Sequence, residues 1–156
     1  MKEVPKNTGF TIIELMVVIA IIGLIAAVAL GLFSRPKANS RDARREKDMK
    51  EVSTALGLYI NQVGTYPICT LGSLVDAAAC SGESLETILR AGGAVSATPH
   101  DPLDNGDCTG FSASSFRYCY ESVAGTEYAL YYHLETDTIN NPSGSLVGNG
   151  WYAITP

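Results

Sequence analysis

Positive charge is nearly absent from the last two-thirds of this 156-residue chain: of eleven Lys and Arg residues, only Arg90 and Arg117 follow Lys50. Eleven of the sixteen acids lie beyond that point. A region so short of cations lacks the electrostatic footprint of a nucleic-acid binder, and no nucleic acid is expected as a partner of it. Histidine is equally scarce. His100 and His133 stand far apart, and the four cysteines are not spaced as Cys-x-x-Cys, so no zinc pattern is completed. No Gly-x-Ser-x-Gly turn presents a nucleophile, and Ser114, Ser115 and Asp137 form no triad visible in the sequence; no enzyme is expected. Asp101, Asp104, Asn105 and Asp107 crowd oxygen donors into seven residues. Their spacing is not that of an EF-hand, and Asp-Pro and Asn-Gly are ordinary turn chemistry. Asp101, Asp104 and Asp107 are thus marginal candidates for calcium, and no metal or other cofactor is expected.

What is abundant is apolar surface near the start. Leu15 to Phe33 is nineteen residues without a charge, and from Phe10 to Phe33 only Glu14 interrupts. A helix needs about 20 such residues to cross bilayer hydrocarbon. The run exceeds the roughly 7–15 apolar residues of a secretory signal, although "AAVALG" offers a small-residue cleavage site, so a removed signal peptide is the lesser reading. Glu14 is the anomaly, because an ionised acid in a low-dielectric setting needs a partner. Thr11 and Glu14 have the spacing of a capping box, in which hydroxyl and carboxylate satisfy each other's exposed backbone N–H groups. That spacing explains a helix start. It does not explain why the start lies inside an apolar run, directly after a glycine.

Four cysteines, Cys69, Cys80, Cys108 and Cys119, allow three pairings. Short loops close most easily, which favours Cys69–Cys80 and Cys108–Cys119, each stabilising by roughly 2–4 kcal/mol. Disulfides persist outside the reducing cytosol, so this region is expected to face outward.

Gly9-Phe10-Thr11-x-x-Glu14, after the charged leader "MKEVPKNT" and before an unbroken apolar helix, resembles the prepilin processing signal of type IV pilins and pseudopilins. The resemblance implies a membrane prepilin peptidase that cuts after Gly9, removing a cytoplasmic leader at 1–9, and N-methylation of the new terminus at Phe10. It implies an assembly role for Phe10 and Glu14. The freed amine, with a pKa near 8, is cationic. Pairing it with a neighbour's Glu14 relieves two charges that are each costly in a low-dielectric bundle, in one axial register only. The resemblance further implies a single-pass inner-membrane protein, surrounded by lipid before assembly, with its head outside the cytoplasm. An inner-membrane platform and its ATPase would then build it into a homopolymer, an extracellular or periplasmic filament. Counting positive charges alone argues the reverse orientation, since Arg35, Lys37, Arg41, Arg44, Arg45, Lys47 and Lys50 follow the run and only Lys2 and Lys6 precede it. Gly31 stands where the resembled pilins often carry a helix-breaking proline. Pseudopilins of this group bind calcium nearer the C-terminus, where this chain offers only Asp137.

The segments follow. Residues 10–33 are expected as a transmembrane or filament-core helix and 34–63 as an amphipathic helix with Val52, Ala55, Leu56, Tyr59 and Val63 on one stripe. The charges of "RDARREKDMKE" read as its solvated face, open to headgroups or neighbouring subunits. Together the helices would make a rod about 80 Å long. Residues 64–156 are expected as a globular head with short helices at 73–79 and 84–91. A meander of three strands at 116–123, 127–135 and 150–155 completes it. The fold class is α+β: a long N-terminal helix packed on a small antiparallel sheet, as in pilins. "ALGLYINQVGTYP" with the later "DPL" resembles, more loosely, the major pseudopilin of type II secretion systems. The leading expectation is a structural pilin, the alternative that pseudopilin. A remote alternative is a membrane-anchored extracytoplasmic binding domain that never polymerises.

Overall fold

The computed structural model describes residues 9–32, 34–75, 79–136, 139 and 142–156, without the side chains of 29–34. The chain divides into two compact units, Met1–Lys37 and Ala38–Pro156. The first contains helix α1 (Ile12–Leu32). Its described apolar side chains are exposed all the way round, Ile13, Val17, Ile21 and Leu24 among them. A helix without a polar face is built to be covered by lipid or by protein. Among the described residues no helix is long and apolar enough to cross a membrane, so the span expected over 10–33 is not shown. The leader residues 1–8 and Phe33 lie outside the described residues.

Helix α2 (Ser34–Val63) contains Pro36 among its first described residues. Gly64 ends it at φ +88°, donating its N–H to the Ile60 carbonyl at 2.8 Å, a left-handed cap that a side chain would resist. The head is a five-stranded antiparallel sheet in the order β1-β2-β3-β5-β4. Its strands are β1 (Cys69–Ser73), β2 (Cys119–Ser122), β3 (Ala129–His133), β4 (Ser145–Gly148) and β5 (Trp151–Ile154). Helix α3 (Leu85–Ala91) starts at Ser84, whose hydroxyl accepts from the Thr87 N–H at 3.1 Å.

Alternation along the strands divides the sheet into two faces. Tyr118, Tyr120, Leu130, Tyr132 and Ile154 meet Met49, Val52, Ala55 and Leu56 of α2 and Leu85 and Leu89 of α3. Cys119 and Trp151 turn the other way, with Cys108, against Phe111 and Tyr131. Two expectations need correction. The sheet has five strands rather than three, because β1 and β4 fall in stretches read as a helix stop and a connection. The helix expected at 73–79 is absent among the described residues: Ser73 ends β1, and Leu74 and Val75 form a turn. β1 hydrogen-bonds to β2, an interaction between distant residues that local pattern does not encode.

Candidate processing and assembly site

Gly9 is exposed, and a Cβ there would meet nothing within 4 Å among the described residues, so no packing contact among them calls for a glycine. Phe10 follows at 84 % exposure, and α1 begins two residues later. The capping box is formed. Glu14 Oε2 accepts from the Thr11 N–H at 2.9 Å and from the Thr11 hydroxyl at 2.7 Å, and the Glu14 N–H donates to Thr11 Oγ1 at 3.3 Å. Those contacts use one carboxylate oxygen. Oε1 has no partner among the described residues and is available to an incoming cation. Capping and charge pairing therefore do not compete for the same atom.

The other side chains singled out from sequence are dispersed. Cys69 is bonded to Cys80 and Cys108 to Cys119, each across eleven positions. Asp101 is buried against Arg45 and also accepts from the Leu103 N–H at 2.8 Å. Asp104 faces Arg117 at 3.3 Å, and Asp107 caps Thr109 at 3.0 Å. Among the described residues no group of three or more His, Cys, Asp or Glu is placed to hold a metal, and Asp137 lies outside them. His100 is exposed. His133 is buried beside Trp151, ring centroids 5.5 Å apart, and that burial pushes its pKa down.

One feature of the head was misread from sequence. The charges between Asp42 and Asp48 are not a solvated face: Asp42, Arg45, Glu46 and Asp48 are all buried. Arg45, with no exposed side-chain surface, grips Asp101 through Nε (2.6 Å) and Nη2 (2.9 Å) and reaches Asp42 and Glu135 through Nη1 (2.7 Å each). Arg41 donates to both Glu135 oxygens. Asp42 accepts the backbone N–H groups of Glu135 (3.0 Å) and Thr136 (2.9 Å) just past β3. Glu46 takes the Tyr132 hydroxyl at 2.6 Å and Asp48 the Tyr118 hydroxyl at 2.9 Å. Arg41 and then Arg45 hold the Glu135 carboxyl down to about 2. Burial and, after it, the adjacent carboxylates push the Tyr118 and Tyr132 phenols up. Burial pushes the Asp48 carboxyl up as well. The signal was present: the apolar stripe through Val52 and Leu56, continued toward the N-terminus at helical spacing, passes through Met49, Arg45 and Asp42.

A family profile described as the prokaryotic N-terminal methylation motif matches residues 5–30. The type IV major pilin protein PilA of Myxococcus xanthus is 39% identical over 62 residues, 40% of this chain and 28% of that protein. The type II secretion system core protein G of Vibrio cholerae is 29% identical over 106 residues, 67% of this chain and 71% of that protein. The fimbrial protein EcpB of Eikenella corrodens is 45% identical over 51 residues, 33% of this chain and 32% of that protein. The chain thus spans less than a third of the length of these two pilus proteins, and more of the secretion protein. No solved structure gives a significant match. The chain thus carries the prokaryotic N-terminal methylation motif at 5–30, is similar in part to type IV pilins and over more of its length to a pseudopilin, and has a long helix packed on an antiparallel sheet.

Proposed function

We propose that the chain is a structural subunit of a type IV pilus-like filament, exported through the inner membrane, cut after Gly9, N-methylated at Phe10 and polymerised through α1. The observation that carries this reading is the Gly9–Phe10 junction. It is an exposed peptide bond at a glycine that no packing contact among the described residues calls for, followed by a carboxylate with one oxygen still free. Before assembly the apolar stretch from Phe10 to Phe33 would sit in the bilayer with the disulfide-bonded head outside the cytoplasm. A prepilin peptidase, a membrane platform and its ATPase are the machinery this requires.

A second reading, the major subunit of a secretion pseudopilus, is favoured by one observation. The similarity to the secretion protein runs over 106 residues, whereas that to the pilus proteins covers 51 to 62. Two disulfides in the head favour the surface pilus.

The test is intact mass of the membrane-extracted chain together with the yield of sheared filaments. The expected mass is that of a chain starting at methylated Phe10. Glu14→Gln, which preserves the capping box because Gln also suits that position, is expected to be cut normally yet to give no filaments by itself. A mass retaining Met1 would refute the processing, and normal filaments from Glu14→Gln would reduce the carboxylate to a cap. Filaments confined to the periplasm would select the second reading.

A further inference from the structure

Burial of the acids sorts the charge on α2. Asp42, Glu46 and Asp48 turn into the head, while Arg44, Lys47 and Lys50 stay on the outer face with Glu51 as the one exposed acid among them. The side chains of Arg44 and Lys50 are 61% and 69% exposed, and their contacts to Asp48 (3.5 Å) and Glu46 (3.9 Å) are too long and too wet to hold them. A sequence that alternates in sign thus becomes, once folded, a cationic ridge.

The opposite charge lies toward the other end of α2. The β2–β3 hairpin, whose Tyr128 hydroxyl meets Ser53 at 2.9 Å, frames an open hollow of about 280 Å³. Glu121, Val123, Thr126, Glu127 and Thr155 are among its lining residues. No Lys or Arg pairs with Glu121 or Glu127 among the described residues. The two cations that follow Lys50 make their contacts elsewhere, Arg90 loosely with Glu86 (3.7 Å) and Arg117 with Asp104 (3.3 Å). Val123, 84% exposed, adds an apolar rim.

We infer that this hollow receives the cationic ridge of a second copy of the same chain, Lys47 and Lys50 against Glu121 and Glu127. The inference rests on the filament reading above. Two different, complementary patches on one chain make a heterologous contact, the kind that propagates a helical polymer when its rotation does not close a ring. Complementary charge fixes register and suppresses wrong pairings. Anionic lipid is the competing partner of such a ridge, and the vesicle measurement below separates it from a second copy.

The test uses the full-length chain with its assembly machinery. Lys47→Glu/Lys50→Glu and Glu121→Lys/Glu127→Lys are each expected to lower sheared-filament yield at least tenfold, with N-terminal processing unchanged. The chain carrying all four substitutions is expected to recover most of that yield. Because Glu121 also accepts from the Tyr131 hydroxyl at 2.5 Å, thermal melting of each variant separates misfolding from lost assembly. Glu127→Lys alone, at an exposed position, reads the same hollow without that hydrogen bond. Normal filaments from either pair, or no recovery in the combined chain, would overturn the inference while leaving the filament reading intact. Loss of the ridge variant from anionic vesicles with its filament yield unchanged would assign the ridge to lipid and overturn it too. No filaments from the unsubstituted chain would overturn both.

Discussion

Arg45→Ala removes the cation on which three carboxylates converge. Asp42 and Asp101 are fully or nearly fully buried and Glu135 largely so, and Arg45 makes four hydrogen bonds to them. Asp42 keeps the Glu135 and Thr136 backbone donors and Glu135 keeps Arg41, but among the described residues Asp101 retains only the Leu103 N–H. Taking one partner from a buried pair typically costs about 3–5 kcal/mol, because the other charge is left in a poor solvent. The cavity left by the side chain adds to that. Against a total stability of about 5–15 kcal/mol, this is a large fraction, and for a unit of this size it corresponds to a fall in Tm of more than about 10 °C. Arg45→Lys keeps the charge but cannot form the two-pronged contact to Asp101, so it should fall between. The assay is thermal and urea unfolding of the detergent-solubilised chain with its disulfides intact. The pH dependence supplies the sign. Glu135 titrates near 2 when folded and near 4.5 as its ordinary value, so its stabilisation is present above about 4.5 and is lost as pH falls toward about 2. Arg41, the larger cause of that shift, remains in Arg45→Ala, so the variant keeps most of this acid sensitivity and the gap should narrow over that window only by the smaller share due to Arg45. A cost below about 1 kcal/mol at pH 7 would refute the reasoning.

Asp48→Asn should leave the unit equally stable or slightly more so at pH 7, within about 1 kcal/mol. Burial raises the folded pKa of this carboxyl, so its ionised form is a cost that grows as pH rises, and Asn can still accept from Tyr118; urea midpoints decide it, and a clear loss would show that the charge is needed. Replacing Cys108 and Cys119 together by Ser should cost about 3 kcal/mol from loop closure alone. Both sulfurs lie in the buried cluster with Trp151, so added disorder there should appear as increased Trp fluorescence quenching; an unchanged melting curve would contradict this.

The N-terminal signal was legible from residues alone because its information is local. Gly9, Phe10, Thr11 and Glu14 lie within six positions, the capping box closes at i, i+3, and α1 has no inside or outside to assign. The short-loop cysteine pairs and α3, with its Ser84 cap, are local in the same way. What only the tertiary structure decided is the meaning of charge on α2. Asp42, Arg45, Glu46 and Asp48 look like a solvated face until Asp101, Tyr118, Tyr132 and Glu135, 56 to 93 positions from the residues they bind, arrive with matching donors and acceptors. The edge strands β1 and β4 depended likewise on partners supplied from elsewhere in the chain. A charged side chain is read as exposed because burying it alone is prohibitive; whether it is alone is a property of the fold.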